Sequence, residues 1–397
     1  MNLRYNIFII IFIIITGCGE NENQSQKGIV IFADSNGSLG ADGSFYSPMT
    51  LNSAIAANAD VIVLLSTDGD ILGNYRLLEN QWLIGAGDNG KITALLPWGE
   101  NLTLTNLGTR PKIVGEIINN ASSQSRTLDL SNNNRVEGIE ISGGLTGLYA
   151  NSNRISSPGD FIINDLIIRD SHYYGIHVVN CNNAIINSVD IHEIQIWSGV
   201  LVDTCNDVNI NNVATTTTGQ SGINKTKNGI EVLNSTTVVL DNININDSDS
   251  KSLNISGALA IDLSNVTIGG SLSDAITLDG IIILMDNITV QSAGDNGIFL
   301  DGADISANNL NITNVGTGGT TPNGGIVITN LYSGASSIFN LSNSYIDSAD
   351  AGIALVAHYG MSVSGIGNII NNVNRKCDLT GNQTISGSIQ LTQGTCP

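Results

Sequence analysis

The chain has 397 residues, with 35 Asp and Glu against 15 Lys and Arg and a net charge of −20 at neutral pH. Such an acidic excess repels phosphate backbones and excludes nucleic acid as a partner. Aromatic residues make up only 5% while Gly occupies 44 positions, a composition that suits many short strands joined by tight turns.

The first residues serve targeting. Arg4 precedes an apolar run, Ile7 to Thr16, that is too short for a stable membrane-spanning helix. It runs into Ile15-Thr16-Gly17-Cys18, which resembles a bacterial lipobox. The resemblance implies a signal peptide over residues 1–17, cleavage before Cys18 and lipidation of Cys18. The alternative is a plain signal peptide or an uncleaved anchor. Residues 18–27 then read as a polar tether, and the protein is expected to be exported and lipid-anchored at the outer membrane or cell surface.

Residues 28–110 are expected to hold an N-terminal cap and the first coils of a solenoid. Leu51, Ala54 and Ile55 fall on one face of a short helix, and the apolar run from Val61 to Leu65 follows as a strand. Such a helix would lie over the open first coil, because a solenoid must shield its ends.

From residue 111 to 375 one pattern recurs: an apolar residue, two turn residues, an apolar residue, any residue, an apolar residue. Its copies are Ile163/Leu166/Ile168, Ile186/Val189/Ile191, Ile210/Val213/Thr215, Leu240/Ile243/Ile245, Leu263/Val266/Ile268, Met285/Ile288/Val290 and Ala307/Leu310/Ile312, with Leu341/Ser344/Ile346 as a weaker one. The residue before each middle member is Asn in five consecutive copies: Asn212, Asn242, Asn265, Asn287 and Asn309. Stacked amides at a turn can hydrogen-bond from rung to rung. Upstream of each triad lies a Gly-Ile-x-Val segment or a variant of it, beginning at Gly175, Gly199, Gly229, Ala275, Gly297, Gly325 and Gly352. A short repeat with three strands closes one coil of a parallel β-helix. The expected fold is therefore all-β: a right-handed, single-stranded parallel β-helix of about ten to twelve three-strand coils with a short N-terminal capping helix. Residues 376–397 would cap the far end, with Cys377 and Cys396 forming a disulfide. Cys181 and Cys205 stack on adjacent coils at a spacing that allows a disulfide; a buried pair of thiols is the alternative.

Two resemblances accompany this pattern. The segment 37–87, through Asp42-Gly43-Ser44, Pro48, Leu51, Ala54, Asp60 to Val63 and Gln81 to Gly87, resembles β-helix domains of inverse-autotransporter-type surface adhesins. That implies surface display and adhesive use, and no catalytic residues. The coil pattern itself resembles the pectin-lyase-like superfamily, where the Gly-Ile-x-Val strand face and the loops before it form a saccharide cleft. The longest insertions, around residues 216–228 and 314–324, enter just before that strand.

Three constellations follow. His177, Asp203 and Glu231 point outward from three successive coils, near Lys225 and Lys227. Proton abstraction beside a uronate carboxylate needs a base and a cation of this kind. Asp274, Asp279, Asp295 and Asp301 supply four carboxylates in two coils and would suit Ca²⁺; alternatively each is a solvated strand-end aspartate. Asp190, His192 and Glu193 sit together in a stretch that loosely resembles the Asp-Pro-His-Glu motif of mannuronan epimerases, but without its proline. Register turns Asp190 and His192 outward, where Arg169 could pair with Asp190 as an ordinary surface cluster.

Two functions remain open. The first is a non-enzymatic surface lipoprotein that binds an extracellular glycan or surface protein on its outward face, with Phe299, Val327, Ala354 and Val356 contributing. The second is a pectin-lyase-like polysaccharide lyase, hydrolase or epimerase.

Overall fold

The computed structural model describes residues 28–66, 69–117, 125–152, 158–216, 228–316, 324–330, 337–347, 349, 351–357, 361–373, 375–380, 385–391 and 394–396. The expected signal peptide, Cys18 and the expected tether lie outside the described residues. The chain is an all-β parallel solenoid of about 12 turns. Its one helix among the described residues is Leu51–Ala56. No helix of the described residues is long and apolar enough to cross a membrane.

One coil shows how the sequence makes the fold. A strand at Tyr174–Val179 leads to a second at Asn183–His192, which bends in its middle. Three residues in the left-handed region, Asn180, Ser188 and Glu193, make the corners. Three straight runs therefore enclose a core. Each run stacks in register on the next coil: Ile163, Ile186, Ile210, Leu240, Leu263, Met285 and Ala307 follow one another through consecutive parallel pairings. These inward side chains form one continuous apolar core along the molecule.

The turn column explains the asparagines more fully than stacking alone. Asp165, Ser188, Asn212, Asn242, Asn265, Asn287, Asn309 and Asn343 all have φ between 50° and 56°. Asn is among the few non-glycine residues that tolerate this conformation. The ladder is also less direct than stacked amides suggest. Asn242 donates to Asn212 and Asn287 to Asn265 at 2.6 Å. Asn265, Asn309 and Asn343 instead bond to the column one residue earlier, at Asp241, Asp286 and Asn308. Substitution Asn242→Val is therefore expected to destabilise by about 1–3 kcal/mol, through backbone strain and the lost rung. Asn242→Gly should cost less, and urea unfolding of the two variants measures the difference.

The ends are closed by different devices. Thr50 caps the helix by accepting from the Ser53 amide at 3.2 Å, and Leu51, Ala54 and Ile55 are buried against the first coils as the periodicity predicts. An antiparallel hairpin, Lys91–Leu95 with Asn101–Thr105, has no counterpart in the repeat pattern of the sequence. It covers the outer side of the first strands, where Phe32, Val61, Val63 and Ile84 meet Ile92, Ala94 and Leu104 in a second apolar cluster. At the far end Gly394–Cys396 turns back antiparallel onto Ile389–Leu391. Cys377 is disulfide-bonded; the side chain of Cys396 lies outside the described residues.

Candidate functional site

The site is built on the Gly-Ile-x-Val strands and the turns that lead into them. The outward column on this sheet runs Arg76, Asp129, Tyr149, His177, Leu201, Glu231, Asn254, Thr277, Phe299, Val327, Ala354. One coil in this column escapes the repeat pattern. Ser252-Leu253-Asn254-Ile255 takes the place of Gly-Ile-x-Val, so Glu231 neighbours Asn254 and is one coil removed from Thr277. Ser252 is fully buried where the other coils place glycine or alanine.

The expected set of His177, Asp203 and Glu231 is not gathered as a triad. Leu201 stands between His177 and Glu231. Glu231 is held by Ser198 Oγ and Asn254 Nδ2, both at 3.0 Å. Asp203 accepts from Thr204 Oγ1 at 2.9 Å and Asn234 Nδ2 at 3.1 Å. Lys225 and Lys227 lie outside the described residues.

His177 itself belongs to a different cluster. Its ring meets Tyr149 edge-on at 5.1 Å and Tyr174 at 4.5 Å. The Arg126 guanidinium lies 3.3 Å from the centre of the Tyr149 ring and 3.5 Å from Asp129. Asn151 Nδ2 donates to the Tyr149 hydroxyl at 2.8 Å. Burial, together with the Arg126 charge, pushes the His177 imidazole down to about 4, with Asp203 opposing. The ring is therefore neutral at neutral pH. Burial and the nearby Glu231 charge push the Tyr174 hydroxyl up to about 12, so it stays protonated.

Beside this cluster, two successive turns form an aromatic platform. Tyr173 and Trp197 stack at 4.3 Å with 21° between their planes, and Tyr174 joins at 5.0 Å from Trp197. The backbone sets this pairing: the Trp197 amide donates to the Tyr173 carbonyl at 3.1 Å and that of Ile196 to His172 at 3.0 Å. Trp197 remains 40% exposed. Tyr149, Tyr173, Tyr174 and Trp197 are absent from the residues singled out by sequence, though a signal exists. Tyr173 and Trp197 each lie two residues before the glycine of their strand, Gly175 and Gly199. Aligning the repeats on that glycine stacks them.

The other expectations come apart. Asp274 accepts from the Asn296 backbone at 3.1 Å and its side chain at 2.8 Å, and Asp295 accepts from Ser273 at 3.1 Å. Asp279 accepts from Ser256 Oγ at 3.1 Å and stacks in register with Asp301. These carboxylates tie coils together. Among the described residues no group of three or more His, Cys, Asp or Glu is gathered to hold a metal. Val327 and Ala354 point outward yet are only 2% and 1% exposed, packed together with Ala351 against a half-buried Phe299. They do not form an open adhesive face. Asp190 contacts His192 at 2.7 Å, and Arg169 turns to Glu140 at 3.6 Å instead of Asp190, so that stretch is a surface polar cluster.

No family model and no curated protein matches the chain. Among solved structures, the catalytic domain of a GH87 alpha-1,3-glucanase in complex with tetrasaccharides is 12% identical, with a TM-score of 0.46, over 93% of this chain and 70% of that one. The A-module of a mannuronan C-5 epimerase from Azotobacter vinelandii is 14% identical, with a TM-score of 0.41, over 86% and 93%. An N-terminal fragment of the bacteriophage phi29 gene product 12 is 12% identical, with a TM-score of 0.45, over 87% and 69%.

Proposed function

We propose that this protein is an exported, lipid-anchored solenoid that binds an extracellular polysaccharide on the face formed by Tyr173, Tyr174 and Trp197. The stack of half-buried Tyr173 on exposed Trp197 carries this reading. Flat aromatic rings offer apolar area at low entropic cost, with polar tips for hydrogen bonds. Sugar rings present the complementary surface, with C–H faces bounded by hydroxyls. Around the platform, Glu231, Asn254 and the Tyr174 hydroxyl supply acceptors and donors. Adhesive use at the cell surface is the biological form of this proposal. The buried disulfide between Cys181 and Cys205 agrees with an oxidising compartment.

Calorimetry with oligosaccharides from alginate, pectate and neutral glucans, with and without Ca²⁺, tests it. Trp197→Ala should weaken binding of the recognised glycan at least tenfold, about 1.4 kcal/mol. Equal affinity in Trp197→Ala and wild type would remove the platform from the proposal.

A second reading, catalysis on a uronate polymer, is favoured by one observation. His177 is held neutral beside Arg126 and Tyr149. The unprotonated imidazole can accept a proton, as a weak base given its lowered proton affinity, and a guanidinium can neutralise the neighbouring carboxylate. Lyase turnover would appear as unsaturated product absorbing in the ultraviolet, epimerase turnover as a change in the uronate spectrum. Loss of either signal in His177→Ala would establish this reading; no turnover on any uronate polymer would eliminate it.

A further inference from the structure

A second face of the solenoid carries a separate groove. It lies on the sheet that precedes the asparagine turn, over four consecutive coils, as an open trough with a volume of about 410 Å³. Its floor and walls come from two outward columns in register. One column runs Arg135, Ile162, Ile185, Asn209. The other places Asn164, Asn187 and Asn211 side by side on successive coils. None of these positions belongs to the aromatic platform, which rises from the turns before Gly175 and Gly199.

The chemistry of the groove is uncharged. Arg135 is neutralised by Glu137, through Nε at 2.9 Å and Nη2 at 2.5 Å to the same carboxylate oxygen. Asn187 donates to Asn164 at 2.7 Å and accepts from Asn212 at 3.3 Å. The side-chain amides of Asn209 and Asn211 make no hydrogen bond among the described residues. Ile185 is 39% exposed, between Ile162 and Asn209 in its column. Open carboxamides therefore flank an apolar strip, repeated at the coil spacing of ~4.8 Å.

We infer that this groove is a second saccharide subsite, specific for neutral glycan chains. A carboxamide offers both a donor and an acceptor, so it matches a hydroxyl in either role. Exposed Ile185 beside half-buried Ile162 matches the C–H face of a pyranose. A shallow trough with repeating polar groups suits a chain laid across coils. A uronate is disfavoured, because the only cation lining the groove is already paired and the protein is strongly acidic. The inference stands apart from the platform: either surface can bind without the other.

The full chain is titrated with neutral glucohexaoses of differing linkage and with hexagalacturonate, followed by backbone amide NMR shifts and calorimetry. A neutral hexaose should shift the amides of residues 162, 185, 209 and 211 in wild type and in Trp197→Ala alike. Asn209→Asp and Ile185→Glu should each weaken that response at least tenfold while leaving the response of residues 173 and 197 in place. Should Ile185→Glu fail to fold, Asn209→Asp, a near-isosteric change at an exposed position, carries the test. Unchanged affinity in Asn209→Asp overturns the inference, as does a groove response to hexagalacturonate alone. Loss of the groove response in Trp197→Ala would equally overturn it, since both surfaces would then form one site.

Discussion

Acidification from pH 7 to pH 4 is expected to destabilise the coils around His177 by about 3 kcal/mol in wild type, and His177→Gln should abolish that component. The imidazole moves from its usual 6.5 to about 4 in the folded chain, and each tenfold loss of proton affinity corresponds to ~1.4 kcal/mol. The sign follows from proton uptake. Above 6.5 the ring is neutral in both states and contributes no pH dependence. Between 6.5 and about 4 the unfolded chain binds a proton that the folded chain refuses, so unfolding gains. Below about 4 both states are protonated and the loss stops growing. Carboxylates fall in a lower window. Arg110 holds Asp88 low, and Ser264 and Asn265 hold Asp241 low, so their stabilisation disappears only as pH falls through the normal carboxylate range and below. Trp197 is a built-in reporter, linked to His177 through Tyr174. Urea unfolding followed by fluorescence at pH 7, 5.5 and 4, with Trp82→Phe and Trp98→Phe in both proteins so that Trp197 alone reports, should show the slope with His177 present and a flatter one in His177→Gln. Parallel slopes would mean that the imidazole is solvated and that its neutral state owes nothing to burial.

The solenoid is legible in the sequence because its cause is periodic. Inward residues repeat as apolar triads, and the corners repeat as Asn at positions that need positive φ. The register implied by Ile186, Ile210 and Leu240 is the one the strands adopt. What stays hidden is aperiodic. The coil at Leu253 lacks the glycine or alanine that marks the others, so the repeat pattern passes over it. The hairpin from Lys91 to Thr105 packs outside the repeat, where coil periodicity carries no information. The site is legible only in part, for a related reason. Outward positions obey no packing rule, so their column order follows from register while their contacts do not. Register alone turns His177 outward, yet its partners, Tyr149 and Tyr174, come from the neighbouring coil and from its own strand. The apolar residues Val327 and Ala354 also point outward, yet they are covered, and outward direction alone does not give exposure.

Removing both cysteines as Cys181→Ser with Cys205→Ser is expected to lower stability by about 3.5 kcal/mol, the chain-entropy value for a loop of roughly 25 residues. The structure resolves the choice between thiol pair and disulfide: Cys181 and Cys205 are bonded, with 4.5 Å between their Cα atoms and a sequence separation of 24. Serine is a suitable replacement. The next coil carries buried Ser235 beside Cys205, with its Oγ 3.4 Å from the Cys205 amide, so the column already accommodates a hydroxyl. The loss should be regional, because coils in a solenoid contact only their neighbours. Hydrogen exchange should quicken over residues 174–211 and stay unchanged near residues 276–312. The bridge also has a functional consequence. Trp197 lies inside the closed loop, while Tyr173 and Tyr174 lie on the coil to which Cys181 belongs. The disulfide therefore clamps together the two turns whose rings form the platform. Glycan affinity should fall in the double variant in proportion to the loosening of residues 193–199, although neither cysteine touches the exposed face; both are only 2% exposed. The same burial should protect the bond from mild reductant in the native state, with reduction appearing only after urea opens the coil. Rapid reduction under native conditions would show that these coils open locally without denaturant, and the platform would then be assembled by its ligand.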